Sequence, residues 1–480
     1  MSNSSTLEFD LAIIGSGGGA FAAAIRATSL GKQVVMIERN TIGGTCVNTG
    51  CIPSKALLAA ADARHIALEA SRFPGIRSTA DSVDMPGLIR GKNVLIENMR
   101  ASKYVDLINA YGWQLLHGDA AFAGSATDPV LAVTGSDGAV QTVRAAHYLI
   151  ATGSTPWAPP IDGLADVDYL TSTSAMELED VPQSLLVLGG GYVALEQSQL
   201  FARLGSEVTM LVRSRLASAE EPEASHALAD VFADEGIRVV ARARMTAVRT
   251  DRQSGQVVAT AVVDGGRKEF RADRLLVATG RRPVTAGLNL TTVGVEVGEK
   301  GEVVVDTMLA STNSRIWAAG DVTGYREFVY VAANNGALAV ENAFTNAGRE
   351  VDYRHLPRVV FTSPALAAVG MTDQQANATG IRCQCGVIPL EFVPRALVNR
   401  DTRGVIKLVA DRDSGRILGI TAVAKDAGEI AAAGVYILEA GMTVDQVAHM
   451  WSPYLTMAEG IKIAAQSYTT DVSMLSCCAI

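Results

Sequence analysis

The sequence predicts an α/β fold in which two glycine-rich βαβ units are followed by a smaller α+β region. Two short apolar strands each run into a glycine cluster, at Gly15 and at Gly189, and such clusters join strand to helix in nucleotide-binding folds. From about Asp352 the segments become shorter and mixed, without another such cluster. The length of 480 residues favours several domains rather than one.

The first βαβ unit begins with the apolar strand at residues 9–14 and its glycine turn. Gly15 permits the tight turn, Gly17 lets the backbone approach a pyrophosphate, and Ala20 lets the following helix pack closely on the strand. Glu38 closes the second strand, 23 positions after Gly15, where a carboxylate accepts hydrogen bonds from an adenosine ribose. These positions predict a dinucleotide site of the Rossmann type.

The second unit repeats this arrangement after the strand at residues 184–188, with Gly189 and Gly191 in the turn. Its second strand leads to Arg213 and Arg215, with no carboxylate at the position that ends the corresponding strand of the first unit. Guanidinium groups at this point bind a 2′-phosphate, which a carboxylate would repel. We therefore expect a preference for NADPH over NADH. The alternative is that both arginines only belong to a solvated loop.

Three further turns follow apolar strands. Two are Ala-Thr-Gly turns, one containing Thr152 and Gly153 and the other ending at Gly280. Each is expected to close one nucleotide-binding domain and return the chain to its neighbour. The third is the Gly320-Asp321 turn, in which the aspartate can hydrogen-bond a polyol such as a ribityl chain. These repeats predict a duplicated architecture.

The composition argues against nucleic acid and membrane partners. A formal charge of -9 without a dense run of lysine or arginine provides no electrostatic footprint for a phosphate backbone. The N-terminal residues carry no basic segment, and the first apolar stretch ends at Gly15. Neither a signal peptide nor a membrane span is therefore predicted, and we expect a cytoplasmic protein.

The six cysteines form three close pairs. In a reducing compartment, paired cysteines are more often catalytic or metal-binding than structural. Adjacent thiols at a chain end make a poor disulfide and a good trap for soft metal. A C-x-C pair in an alternating stretch places both thiols on one face of a strand, and we interpret it as ordinary packing or exposure. The pairs are Cys46 with Cys51, Cys383 with Cys385, and Cys477 with Cys478.

Together, the two glycine-rich units, the first cysteine pair and the three turns resemble the pyridine nucleotide-disulfide oxidoreductases across nearly the whole chain. Within that family, residues 453–460 and the terminal Ser-Cys-Cys are most similar to the mercuric reductases. The resemblance implies FAD, NADPH and a twofold homodimer. It implies an FAD-binding domain at 1–152, an NADPH-binding domain at 153–280, an FAD-binding return segment at 281–348 and a C-terminal dimerisation domain at 349–480 that carries the terminal cysteines.

The resemblance also implies a route for electrons from NADPH through FAD to Cys46 and Cys51. Cys51 stands at the start of a helix opened by Pro53, and because a helix N-terminus stabilises thiolate, Cys51 is expected beside the flavin. Thiolates suit a soft cation such as Hg(II), which would be reduced there to Hg(0). Cys477 and Cys478 of the partner subunit would deliver Hg(II) from small thiols by ligand exchange.

Other residues receive a role from the resemblance alone. Lys55 is expected to pair with Glu196 near the flavin, and Tyr192 is expected to gate the nicotinamide pocket. Gly44 and Thr45 are expected to contact the flavin nucleotide. For Tyr192 and Glu196 the alternative is ordinary placement on a helix surface.

Tyr454 stands where disulfide-reducing relatives carry a histidine, five residues before Glu459. A phenol with a pKa of about 10 is a poor general acid-base at neutral pH. Reduction of a metal ion needs no proton at that position. The pair Tyr454 and Glu459 therefore favours Hg(II) over a disulfide as the substrate.

Two other functions stay open. One is a dihydrolipoamide or other disulfide reductase, and the other is a soft-metal-binding flavoprotein with little turnover. Many mercuric reductases also carry an N-terminal metal-capture domain with a Cys-x-x-Cys motif, whereas this chain begins at the flavin domain. Both a natural short form and a trimmed chain are consistent with that start.

Overall fold

The computed structural model describes residues 6–475. The strands, β1 to β21 in chain order, are Leu7–Ile14, Val34–Glu38, Gln114–His117, Asp119–Gly124, Pro129–Thr134, Val140–Ile150, Ser154–Pro156, Ser184–Leu188, Glu207–Leu211, Arg238–Val240, Ala243–Thr250, Val257–Val263, Gly266–Ala272, Arg274–Val277, Arg281–Pro283, Ile316–Ala318, Arg358–Val360, Ala365–Gly370, Cys383–Pro389, Val405–Asp411 and Ile417–Ala424.

The helices are numbered in the same way. In chain order α1 to α14 are Gly18–Ser29, Gly44–Asn48, Cys51–Leu68, Met85–Arg100, Asp106–Tyr111, Ser172–Ala175, Tyr192–Leu204, Pro222–Asp234, Val329–Thr345, Asp373–Ala378, Pro394–Asn399, Ala427–Glu439, Val444–His449 and Glu459–Gln466. None of the helices within residues 6–475 is long and apolar enough to cross a membrane.

The chain divides into two compact units, each assembled from three stretches. The first unit comprises Met1–Ala56, Gly87–Trp157 and Gly280–Val351. The second comprises Leu57–Pro86, Ala158–Thr279 and Asp352–Ile480.

The first unit is built on a sheet of order β3-β2-β1-β6-β5-β4, with β16 beside β6. Strands β1, β2, β3, β6 and β16 are parallel neighbours, and β4 and β5 complete the edge in antiparallel orientation. Ala12 and Ile14 of β1 point into one apolar core, while Leu11 and Ile13 point into the other. Both faces of the strand are therefore covered, which explains its continuous apolar run.

Helices α1 and α9 pack closely on one face of this sheet. Gly19 of α1 and Gly336 of α9 lie at the crossing, where a Cβ on Gly336 would clash with the Gly19 carbonyl oxygen. Small residues are thus required at this crossing.

The second unit contains a parallel sheet of order β10-β9-β8-β14, an antiparallel sheet β11-β12-β13 and a five-stranded sheet β17-β18-β21-β20-β19. The five-stranded sheet is antiparallel throughout, with α12 packed against β18 and β21 and α14 against β19 and β20. The predicted class, two α/β nucleotide-binding folds followed by an α+β region, is confirmed.

Candidate active site

The first glycine turn has the backbone geometry that its sequence predicts. Gly15 has a φ of +107°, and a Cβ there would clash with the Ala151 carbonyl oxygen. Gly17 caps the N-terminus of α1, and Ala20 is a buried residue in the first turn of that helix. Glu38 ends β2, where its carboxylate accepts a hydrogen bond of 2.6 Å from the Ser16 hydroxyl. A carboxylate is thereby held at the end of β2 beside the turn.

A second turn lies directly against the first. Gly44 has a φ of +64°, and a Cβ there would lie 2.6 Å from the Gly17 Cα atom. The Gly43 N–H donates to the Ser16 carbonyl oxygen over 3.1 Å. Thr45, the next residue, is exposed. Two loops with unshielded backbone therefore meet at the N-terminus of α1, which is the arrangement that binds phosphate groups.

The Ala-Thr-Gly and Gly-Asp turns of the first unit are tied together by hydrogen bonds. The Ser154 hydroxyl donates to the Asp321 carboxylate over 2.7 Å, and Arg281 Nε donates to the Ser154 Oγ atom over 2.6 Å. The Thr152 hydroxyl donates to the carbonyl oxygen of residue 284 over 2.6 Å. Gly153, Gly280 and Gly320 have positive φ values of 67°, 118° and 78°. Ser154 orients Asp321 and was not singled out from the sequence.

Cys46 lies in α2 and Cys51 is the first residue of α3. They are not joined in a disulfide. The hydrogen bond between the Cys46 thiol and Cys51, followed by burial, raises the pKa of Cys46, while the charge of Lys55 opposes this shift. These influences favour the protonated form of Cys46, while Cys51 occupies the helix N-terminus that favours thiolate.

Tyr104 is a member of this site that sequence reasoning missed. It lies in a π-helical turn, Ala101–Val105, and such turns are frequent at functional sites. Burial raises the pKa of its phenol, and the neighbouring Cys46 and Cys51 add to that shift. No local motif marks Tyr104, because it is far from the cysteines in sequence and only the fold brings it near them.

The segment between the two cysteines is held by the side-chain amide of Asn48 and by one arginine. Asn48 Nδ2 donates to the carbonyl oxygens of Ile42 and Gly44, each over 2.9 Å. Arg100 donates to Asn48 Oδ1 over 3.1 Å. These contacts stabilise the backbone that presents Cys46.

The second unit carries the second glycine turn. Gly189 has a φ of +139°, and a Cβ there would clash with the Ala278 carbonyl oxygen. Gly191 caps α7, whose first residue is Tyr192. The Tyr192 hydroxyl donates to the Glu220 carboxylate, and burial, then the charge of Glu220, raises the pKa of that phenol. Tyr192 is therefore held as a protonated donor rather than lying loose on a helix surface.

The two arginines that follow β9 differ in their environment. Arg213 is exposed. The Arg215 guanidinium donates to the Ser225 hydroxyl and to the carbonyl oxygens of Ser218 and Glu220, the last two over 3.0 and 2.7 Å. Arg215 thus holds its own loop, whereas Arg213 is exposed, and the expectation that these arginines bind a 2′-phosphate stays a prediction.

Glu196 is 8% exposed, so simple placement on a helix surface does not apply to it. One of its carboxylate oxygens accepts a hydrogen bond of 3.0 Å from the Phe361 N–H. Lys55 belongs to the first unit and Glu196 to the second, and their pairing stays a prediction.

Tyr454 and Glu459 also belong to the second unit. Tyr454 is 47% exposed, whereas Glu459, the first residue of α14, is 0% exposed. Burial raises the pKa of the Glu459 carboxyl. About half of Tyr454 is thus accessible to solvent, while Glu459 is part of the core.

Of the four cysteines predicted to bind metal, only Cys46 and Cys51 lie within the described residues 6–475. Cys477 and Cys478 lie outside residues 6–475. Within that range, no group of three or more histidine, cysteine, aspartate or glutamate residues is arranged to hold a metal ion. A two-coordinate thiol site such as Cys46 with Cys51 does not need a third ligand.

The residues of each unit fit a nucleotide cofactor. In the first unit, two converging glycine turns lie beside the carboxylate of Glu38, which suits a dinucleotide with its pyrophosphate at the N-terminus of α1. The turn at Gly189 and Gly191 provides the corresponding place at α7.

Two family models match the chain. The model of the pyridine nucleotide-disulphide oxidoreductases matches residues 9–336, and the model of the dimerisation domain of the same family matches residues 356–465. This membership implies a flavin and a nicotinamide cofactor.

Individual relatives are similar over nearly the full length. A mercuric reductase of Streptomyces lividans is 58% identical over 471 residues, which cover 98% of each chain. One from Bacillus cereus is 46% identical over 98% of this chain and 73% of the relative. The Cu(II) complex of the HOCl-induced flavoprotein disulfide reductase RclA from Escherichia coli has a TM-score of 0.85 and 28% identity, covering 96% of this chain and 100% of that chain. The chain is therefore an enzyme of the pyridine nucleotide-disulphide oxidoreductase family, and within that family it groups with the mercuric reductases.

Proposed function

We propose that this chain uses NADPH and FAD to reduce Hg(II) to Hg(0). The observation that carries the proposal is the pair of hydrogen-bonded thiols, Cys46 and Cys51, in the same unit as the first glycine turn. Two thiols within hydrogen-bonding reach of each other suit a soft, two-coordinate cation better than a hard one. The 58% identity to a mercuric reductase supports the same substrate.

Hg(II) would bind to both sulfur atoms and displace the proton that Cys46 retains. When bound, FAD supplies the two electrons of the NADPH hydride to this site. Addition of two electrons to the bound Hg(II) breaks both S–Hg bonds and leaves two thiolates and a neutral atom. Lys55, whose charge acts on Cys46, stabilises these thiolates, and Tyr104 lies close enough for their charge to act on its phenol.

In the second unit, we assign NADPH to the turn at Gly189 and Gly191, with Arg213 as the ligand of the 2′-phosphate. Tyr192 would have to leave Glu220 or tilt about that hydrogen bond to admit the nicotinamide. The domain ranges 1–152, 153–280, 281–348 and 349–480 belong to the same proposal.

We further propose a homodimer formed through the C-terminal domain, which is supported by the match to a dimerisation domain. The exposed Tyr454, together with Cys477 and Cys478, would then reach Cys46 and Cys51 of the other subunit. Adjacent thiols can pass Hg(II) on by ligand exchange without releasing the free ion.

The test is steady-state NADPH oxidation by the FAD-loaded protein without oxygen, with Hg(II) buffered by excess small thiol and with lipoamide as the comparison substrate. We expect Hg(II)-dependent turnover, one NADPH consumed per Hg(0) collected, and no lipoamide reduction. The Cys46→Ser variant should lose the Hg(II)-dependent rate, whereas Ser136→Ala, at an exposed position outside the predicted sites, should retain it.

Each other result selects an alternative. Lipoamide turnover without a response to Hg(II) would identify a disulfide reductase, the type of enzyme named for the RclA structure. Hg(II) binding without continuous NADPH consumption would identify a soft-metal-binding flavoprotein.

A further inference from the structure

A second pair of thiols lies far along the chain, on β19 in the second unit. Cys383 and Cys385 are two residues apart on this strand, and neither forms a disulfide. Because side chains alternate along a strand, both occupy the same face. Both are partly exposed, and β19 is the last strand of its sheet. Two thiols therefore share one accessible face at the edge of the five-stranded sheet.

The surroundings of this pair carry excess negative charge. The Cys383 thiol donates to the Asp373 carbonyl oxygen over 3.8 Å. Lys407 pairs with Val387 across the strands, so its side chain lies on the same face as the thiols. Its Nζ atom binds three carboxylates, Glu221 at 2.9 Å, Glu223 at 2.9 Å and Asp373 at 2.7 Å. Since one ammonium faces three carboxylates, these surroundings favour a cation over an anion.

The spacing on the strand suits a bridging metal better than a disulfide. Alternate Cα atoms of a strand are about 6.8 Å apart, from a rise of about 3.4 Å per residue, which is the upper limit for a disulfide. A metal placed between two sulfur atoms spans a wider gap than a direct S–S bond.

We propose that Cys383 and Cys385 form a second soft-metal site, which binds a thiophilic cation such as Hg(II) between their sulfur atoms. Binding breaks two S–H bonds, forms two S–metal bonds and releases two protons to solvent. No electron is transferred, so the site holds the metal without reducing it. The proposal needs binding only and does not rest on the reductase activity proposed above.

The test uses the full-length, FAD-loaded protein in which Cys46, Cys51, Cys477 and Cys478 are all replaced by serine. Mercuric chloride is added with an excess of glutathione, small molecules are removed, and the metal per chain is counted by native mass spectrometry. We expect one Hg(II) per chain. Adding Cys383→Ser should weaken binding of Hg(II) by about a hundredfold or more. Cys385 then has no second protein thiol beside it, and the second ligand of the metal must come from solution.

The protein with all six cysteines replaced is the matched blank and should retain no Hg(II). The proposal is overturned if the four-serine protein retains no Hg(II), or if adding Cys383→Ser leaves its Hg(II) content unchanged. It is also overturned if the four-serine protein, before mercury is added, is lighter by two hydrogens, because Cys383 and Cys385 would then form a disulfide. Should the four-serine protein lose its flavin, the count is repeated on the wild-type protein against Cys383→Ser/Cys385→Ser. A difference of one Hg(II) supports the site, and equal counts refute it.

Discussion

The guanidinium of Arg358 binds the carboxylate of Glu220 through two hydrogen bonds of 2.8 Å each. The Glu220 side chain is 0% exposed and that of Arg358 is 13% exposed. Because the Tyr192 hydroxyl donates to the same carboxylate, one buried ion pair also sets the position of the residue proposed to gate the nicotinamide pocket.

Replacement of Arg358 by alanine should destabilise the protein strongly. Glu220 would be left as a buried charge without its cation, which costs about 3–5 kcal/mol of unfolding free energy. Urea unfolding followed by far-UV circular dichroism measures the change as a lower midpoint. The control is Arg354→Ala, which removes an exposed pair with Asp352 and should cost at most about 1 kcal/mol. Equal midpoints for the two variants would contradict the conclusion that Arg358 and Glu220 form a buried ion pair.

Gly44→Ala should reduce the flavin content of the purified protein. The new Cβ would lie 2.6 Å from the Gly17 Cα atom, so one of the two turns must move away from the phosphate-binding position. Gly31→Ala is a matched control, because Gly31 has a similar φ of +71° but no atom within 4 Å of a new Cβ. Flavin released by heat and measured by fluorescence should fall in Gly44→Ala alone. A parallel loss in both variants would mean that backbone strain, not crowding, is responsible.

Glu459→Gln should change how stability depends on pH. Burial raises the pKa of Glu459, so the folded state binds this proton more tightly than the unfolded state. The stabilisation is then complete below the unfolded pKa and is lost as the pH rises through the folded pKa. As the pH rises above about 5, the melting temperature of the glutamine variant should therefore rise relative to wild type. The exposed Glu350→Gln should show a constant difference, and a constant difference for Glu459→Gln would argue against a raised pKa.

Arg213→Ala should weaken binding of NADPH but not of NADH. Loss of one charge-assisted hydrogen bond of about 1.5 kcal/mol corresponds to about a tenfold rise in KM for NADPH. Arg215→Ala is the contrasting variant, because this guanidinium holds the loop itself and its loss should affect both nucleotides equally. Equal KM changes for NADPH and NADH in Arg213→Ala would place the 2′-phosphate elsewhere.

Local sequence patterns were sufficient for much of the fold. The strand expected at residues 184–188 is β8, Ser184–Leu188, and Glu38, expected to close the second strand, is the last residue of β2. Gly15 has the positive φ that its turn requires. These features follow from neighbouring residues alone, since apolar runs and glycine conformations act over a few positions.

The sequence by itself determined the α/β class, the two glycine turns and the thiol pair, because each depends on spacing within one short segment. Only the tertiary structure placed Tyr104 near Cys46 and Cys51 and paired Arg358 with Glu220. It also directed the Arg215 guanidinium to the backbone of its own loop. These contacts connect side chains whose spacing follows no local period. They exist only after the sheets and helices have packed, when burial makes an unpaired charge costly and so selects its partner.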